Sequence, residues 1–179
     1  MNDVTPARLW TPTAARIESA GITRYRRWLE QERGLRFDRY DALWRWSVDE
    51  LEAFWASIWD FCGVRSHRPC ERVLDRRVMP GARWFEGATV NYAEQLLWRA
   101  LEPEWMPRTA LVFESESRPR LELSWGALGA QVGALAATLA HAGVRAGDRV
   151  AAYLPNVPES AVGLLATASL GAIWSSAAP

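Results

Sequence analysis

The stretch DRVAAYLPNVPESAVGLLATASLGAIWSS, residues 148–176, constrains the fold more than any other part of this 179-residue chain. It begins with a continuous apolar run, VAAYL, which suits a strand buried on both faces. A stiff turn, LPNVPE, follows. Pro158 fits the first turn of a helix, where its missing N–H has no intrahelical partner to lose. Small apolar residues carry that helix to Gly171, and AIWSS then opens another strand. Strand, helix and strand joined by short turns predict parallel pairing through a right-handed crossover.

Upstream, TALVFES (109–115) and SRPRLELS read as two strands and a turn, the pattern of a hairpin. Ser124 can cap a helix whose Leu128, Val132, Leu135 and Leu139 form one stripe, with Gly143 at its end. The first part differs in composition. The chain has 11 tryptophans. Trp10, Trp28, Trp44, Trp46, Trp55 and Trp59 all fall in the first third, which must pack either on itself or on a larger body. Thr23 can cap a helix carrying Ile22, Tyr25, Trp28 and Leu29, closed by Gly34. Ser47 and Glu50 have capping-box spacing ahead of Val48, Leu51, Phe54, Trp55, Ile58, Trp59 and Cys62. Pro80 and Gly81 mark a turn, and Asn91 can cap a helix that runs to about Leu101, before Pro103. The expected class is therefore α/β. Residues 1–107 are a helical, Trp-rich extension, and residues 108–179 are the start of a parallel-sheet α/β domain. EPEWMPRT (102–109) is the expected junction.

Charge removes several function classes. Lys+Arg and Asp+Glu both number 21, so the net charge is zero. No basic field exists to attract nucleic acid or an anionic membrane. Every basic residue is Arg, which takes lysine chemistry out of this segment. MNDVTPARLWTP lacks the apolar core of a signal peptide, and the most apolar run, Ala161 to Trp174, is too short to span a bilayer. Cys62 and Cys70 are too few for a secreted disulfide framework. These features point to a cytoplasmic protein.

Few residues offer chemistry. Cys62, His67 and Cys70 lie at C-x4-H-x2-C spacing, but no fourth ligand completes a tetrahedron, and a helix cysteine plus a loop cysteine is the competing reading. His141 ends the Ser124-capped helix, where the helix dipole favours a cation, and no Ser, Cys or Asp partner stands nearby in sequence. Neither G-x-x-x-x-G-K-[ST] nor G-x-G-x-x-G occurs. LPNVPE follows a parallel strand at its C-terminal edge, where open α/β sheets place ligands, but the residues alone favour a proline-stiffened connection.

Three stretches together resemble the AMP-forming acyl-CoA synthetases of the adenylate-forming superfamily. PGARWFEGATVNYAEQLL (80–97) resembles the passage from N-terminal extension into the body of acetyl-CoA-synthetase-like enzymes. DRVAAYLPNVPESAVGLLATASLGAIWSS (148–176) resembles the first α/β segment of the large domain. YDALWRWSVDELEAFWASIWDFCGV resembles the extension of the acetyl- and acetoacetyl-CoA synthetase branch, and GAIWSS points to its acetoacetyl side. The resemblance implies activation of a small-molecule carboxylate by ATP, with Mg assisting, and transfer of the acyl group to CoA. The family's phosphate loop, its adenosine-holding residues and its catalytic lysine lie further along a chain several times longer. The implied partner is thus the remainder of the ligase body. No catalytic and no metal-binding residue is carried over. The family's CoA channel passes near the loop after GAIWSS. Ser176, Ala177, Ala178 and Pro179 match the start of that loop, and the resemblance implies that they approach the pantetheine arm through backbone groups; they also read as a plain strand end. The acyl group (acetoacetate, acetate or propionate) stays open, as does a different class of role: a non-catalytic docking module built on the Trp-rich helices.

Overall fold

A computed structural model describes residues 9–179. They divide into two compact units, one running to Val64 and resuming over Cys70–Gly87, the other comprising Arg65–Pro69 and Ala88–Pro179.

The first unit is helical. Helix α1 (Ala14–Ser19) is capped by Thr13, whose side chain accepts from Arg16 N–H at 3.3 Å. Helix α2 (Gly21–Arg33) ends at Gly34, which holds φ 65°, a left-handed value that glycine adopts without steric cost. The sequence places this helix correctly but not its cap. Ala20 occupies the N-cap, and the Thr23 hydroxyl instead donates to Ile17 C=O at 2.6 Å, tying α2 to α1. The Ser47–Glu50 capping box does not form either. Helix α3 (Tyr40–Asp49) runs straight through Ser47, and α4 (Leu51–Phe61) starts after a break at Glu50. An N-cap must leave the helical region, and Ser47 cannot, because Leu43 and Trp46 hold its turn in the core. Its hydroxyl donates back to Trp44 C=O at 2.7 Å.

Leu29, 0% exposed, centres this core with Tyr25 and Leu43. Aromatic rings enclose it, with centroids 5.0 Å apart for Tyr25–Phe61 and 5.2 Å for Phe37–Trp46. Beneath them Ser57 donates to Phe54 C=O at 2.6 Å, so the Tyr25 hydroxyl is the donor in its own 2.6 Å bond to Ser57. Burial raises the Tyr25 pKa above the ordinary phenol value, against the lowering effect of the Ser57 bond. The neutral phenol is the form the fold favours. Its contribution is whole below the unfolded phenol's pKa and is lost as pH climbs through the raised folded value. Alkaline unfolding, followed by near-UV circular dichroism, is expected to become less pH-dependent in Tyr25→Phe.

Strands β1 (Arg72–Leu74) and β2 (Trp84–Glu86) pair antiparallel, with Arg72 opposite Glu86 and Leu74 opposite Trp84. The connecting loop is organised on Asp75. Its side chain is 5% exposed and accepts from Arg83 N–H at 2.8 Å, which holds its carboxyl below the usual carboxylate range. Phe85 sits at φ 50°, a left-handed value that costs a bulky residue on the order of 1–3 kcal/mol. Its ring lies 4.4 Å from that of Trp59, the contact that offsets the strain.

The second unit is α/β. Asn91 caps helix α5 (Tyr92–Leu97) as the sequence predicts: Glu94 N–H donates to its Oδ1 at 3.1 Å. The expected extension to Leu101 tightens into a 3-10 turn over Trp98–Leu101. Strands β3 (Thr109–Phe113) and β4 (Leu121–Ser124) form the expected hairpin, with Leu111 opposite Leu123 and Phe113 opposite Leu121. Ser124 caps helix α6 (Trp125–His141), accepting from Ala127 N–H at 3.2 Å. Strand β5 (Arg149–Tyr153), helix α7 (Pro158–Ser169) and strand β6 (Ile173–Ala177) follow, and β5 and β6 pair parallel from Arg149–Ile173 to Tyr153–Ala177.

The core lies between helices, with Ala93, Leu128, Val132, Val162, Leu165 and Ala166 buried together. Asn91 closes it across the chain, since its Nδ2 donates to Ala168 C=O at 3.0 Å, at the end of α7. Asn91→Ala loses both the cap and this donor and is expected to cost about 1–2 kcal/mol by urea unfolding. Asn91→Asp, which keeps only the cap, should fall between. One expectation is corrected here. Strand β5 is not buried on both faces: Val150 and Ala152 are half-buried, while Ala151 and Tyr153 face solvent, Tyr153 at 70% exposure. Burial alternates along the strand, and among the described residues no layer covers the exposed face.

Candidate functional site

The LPNVPE turn is held from within. The Ser160 hydroxyl and Val157 N–H both donate to Pro155 C=O at 2.9 Å. Leu154 N–H donates to Ala177 C=O at 3.1 Å, which locks the end of β6 to the start of the turn. Two adjoining hollows open here, at the C-terminal edge of the parallel pair, where α/β folds gather ligands. One of about 400 Å³ lies between Leu111–Phe113 of β3, with Glu114 just beyond it, and Trp174 and Ser176 of β6, with Ala161 and Leu164 of α7 alongside. The other, about 450 Å³, lies between the hairpin turn and LPNVPE, and both share Phe113, Asn156 and Val157.

Arg118 and Glu159 close the second hollow with a two-pronged ion pair, at 3.0 and 3.2 Å. Arg118 bonding holds the Glu159 carboxyl below its usual range. The same guanidinium lies 5.2 Å from the Phe113 ring centre. This pair escaped the sequence reading. Its partners are 41 residues apart and carry no shared pattern. Because Glu159 neutralises Arg118, a phosphate entering this hollow meets no free cation. No chemical step is assigned to these residues.

Ser176 lines the first hollow, and Ala177, Ala178 and Pro179 are exposed beyond it. Of the backbone acceptors in that group, the Ala177 carbonyl is already taken by Leu154. Cys62 and Cys70 are exposed, and among the described residues no group of three or more His, Cys, Asp or Glu is placed to hold a metal. His67 bonds Glu94 instead, Nε2 to Oε2 at 2.6 Å. His141 is the exposed last residue of α6.

Residues 99–179 match the family model of AMP-binding enzymes, and residues 40–96 match that of the acetyl-coenzyme A synthetase N-terminus. Residues 40–179 are thus similar to AMP-binding enzymes that carry this N-terminal segment. Among such enzymes the chain is similar to acetoacetyl-CoA synthetases. Acetoacetyl-coenzyme A synthetase of Rhizobium meliloti (strain 1021) is 39% identical over 96% of this chain and 26% of its own length. The Danio rerio acetoacetyl-CoA synthetase is 37% identical over 96% of this chain and 25% of its own. The solved acetoacetyl-CoA synthetase from Streptomyces lividans matches with a TM-score of 0.87 at 47% identity, over 97% of this chain and 27% of that one. The chain spans about a quarter of the length of the curated relatives it matches.

Proposed function

We propose that these residues are the N-terminal part of an ATP-dependent acetoacetate–CoA ligase. The observation that carries this reading is the match to the Streptomyces lividans acetoacetyl-CoA synthetase, TM-score 0.87 at 47% identity over 97% of the chain. In such a ligase the carboxylate of acetoacetate attacks the α-phosphorus of ATP, pyrophosphate leaves, and CoA sulfur then displaces AMP from the acyl-adenylate. That chemistry calls for neutralised phosphates, with Mg, and a positioned carboxylate. In this reading the groups that meet those needs sit in the remaining ligase body. Ser176, Ala177, Ala178 and Pro179 would border the CoA channel, and residues 1–107 and 108–179 would be extension and large-domain start. Among the described residues no helix is long and apolar enough to cross a membrane. From its sequence and its likeness to these ligases, we read the enzyme as cytoplasmic.

The 179-residue chain alone is expected to release no AMP with ATP, acetoacetate and CoA. The complete ligase chain is expected to release AMP with acetoacetate far faster than with acetate or propionate. Acetoacetate-independent turnover, or none, would overturn the reading. A docking module is the second reading. Tyr40 and Trp44, exposed at 66% and 52% on α3, favour it, and a complete ligase body would absorb that face.

A further inference from the structure

Helix α6 buries Leu128 and Val132 in the core and carries Gly129 and Gly133 one residue further on. Both glycines line a hollow of about 400 Å³, walled by Leu97 of α5 and by Trp98 and Leu101 of the 3-10 turn. That size lies at the small end of the range for ligand pockets. The two glycines differ in what they are for. At 129 an added Cβ would stand 2.6 Å from the Cβ of Ala100, so the close approach of the 3-10 turn requires glycine there. At 133 an added Cβ meets nothing within 4 Å, and the residue has no left-handed φ. Glycine inside a helix is less stable than alanine, so neither backbone nor packing accounts for Gly133. Its effect is to keep the hollow open. Local rules broken without a structural gain gather at functional sites.

The polar side chains around this hollow are not equally engaged. Glu94 Oε2 is bonded to His67 Nε2 at 2.6 Å, and the Ser169 hydroxyl donates to Ala166 C=O at 2.7 Å. Arg65 stands apart. Its backbone N–H donates to the Gln95 side chain at 2.8 Å, which ties residue 65 to α5. Its guanidinium lies over the Trp98 ring, 5.6 Å from the ring centre. Among the described residues that guanidinium has no carboxylate partner. Stacking on a ring uses the flat face of a guanidinium and leaves its N–H edge to donate. The hollow therefore combines an apolar floor with one positioned, unpaired cation.

We propose that this hollow binds an alkyl carboxylate. The carboxylate takes the N–H edge of Arg65, whose planar fork matches two carboxylate oxygens. The tail lies over Gly133, against Leu97 and Leu101. Both halves of the ligand are needed. A bare anion would lose water against the apolar floor without a partner for every lone pair, and a cationic amphiphile would meet Arg65. The site shares no residue with the two hollows at the LPNVPE turn. It calls for neither ATP nor CoA, so it stands or falls apart from the ligase reading.

Photolabelling of the full-length protein that carries these residues, with a diazirine-bearing octanoate, tests this. Label should fall on Leu97–Leu101 and on α6 around Gly133. Octanoate should compete for it, and octylamine, with an equal tail and the opposite charge, should not. Arg65→Gln should weaken competition by octanoate about tenfold or more, the effect of losing charge-assisted hydrogen bonds, and Arg65→Lys should fall between. Gly133→Leu should abolish the label, because its side chain grows into the open hollow. Its melting temperature should not fall, since leucine suits a helix interior. Should Gly133→Leu melt early, the Arg65 variants decide alone, because Arg65 is exposed and its replacement leaves the core untouched. Label found only elsewhere, octylamine competing as well as octanoate, or Arg65→Gln behaving like the parent overturns the proposal. A folded Gly133→Leu protein that labels like the parent overturns it as well. Acetoacetate-dependent AMP release is read separately and tests only the ligase reading.

Discussion

Leu29→Ala is expected to lower the stability of the helical unit by about 3 kcal/mol, read from the urea midpoint of the near-UV aromatic signal. Leu29 is fully buried, and the residues around it are Tyr25, Leu43 and a ring of aromatics. Aromatic side chains are stiff and cannot collapse into the vacated space, which places the substitution well inside the range for large-to-small core changes. A domain's whole stability is about 5–15 kcal/mol, so this one change removes a large share of it. Leu29→Met keeps the volume and should cost less than about 1.5 kcal/mol. A Leu29→Ala chain that melts like the parent would mean that the aromatic cluster does not depend on its centre.

Gly163→Ala gives the second large effect, and here two magnitudes oppose each other. In an open helix interior, glycine to alanine gains about 1 kcal/mol. At position 163 the new methyl would stand 2.5 Å from the Trp174 ring, closer than real Cβ atoms approach anything. Overpacking of that kind costs about 1–3 kcal/mol, and the ring is rigid and half-buried, so the net change is expected to be destabilising. Gly133→Ala is the control. Nothing lies within 4 Å of its added methyl, and it should stabilise by a few tenths to about 1 kcal/mol. Adding Trp174→Leu to Gly163→Ala should recover part of the loss, and the double-mutant cycle isolates the clash from the propensity gain.

What could be read from the sequence was set by distance along the chain. The caps at Asn91 and Ser124 each use an amide three residues away, so residue type and spacing were sufficient. The hairpin and the β5–α7–β6 unit were legible because their turns are short and their apolar periods are unbroken. Ser47–Glu50 shows the limit of the same rule. The spacing was right, but the Leu43–Trp46 stripe claimed the turn for α3. Strand β5 carries the composition of a doubly covered strand and is covered on one face only, because composition records the burial a segment is suited to and not which partner layer is present. At the site, Ser176 and the LPNVPE turn were visible as a strand end and a turn. The Arg118–Glu159 closure depends on a pairing across 41 residues, which no local pattern encodes.

The bond from Asn91 to Ala168 spans 77 residues, and this sets a schedule for the nascent chain. At a synthesis rate of about 5–20 residues per second, the partner carbonyl is made roughly 4 to 15 seconds after Asn91. During that interval α5 can hold its own cap, but its apolar face has no α7 to meet. The Arg65–Pro69 segment, which belongs with the later residues, waits as well: His67 N–H finds Thr89 soon after synthesis, while the helix layer above assembles only when α7 is out. The helical unit, by contrast, has all its residues by Gly87. The ribosome therefore delivers all residues of the helical unit before the α7 partner that α5 needs, and a translational pause placed between residues 97 and 158 would lengthen the exposure of Leu96 and Leu97 to chaperones.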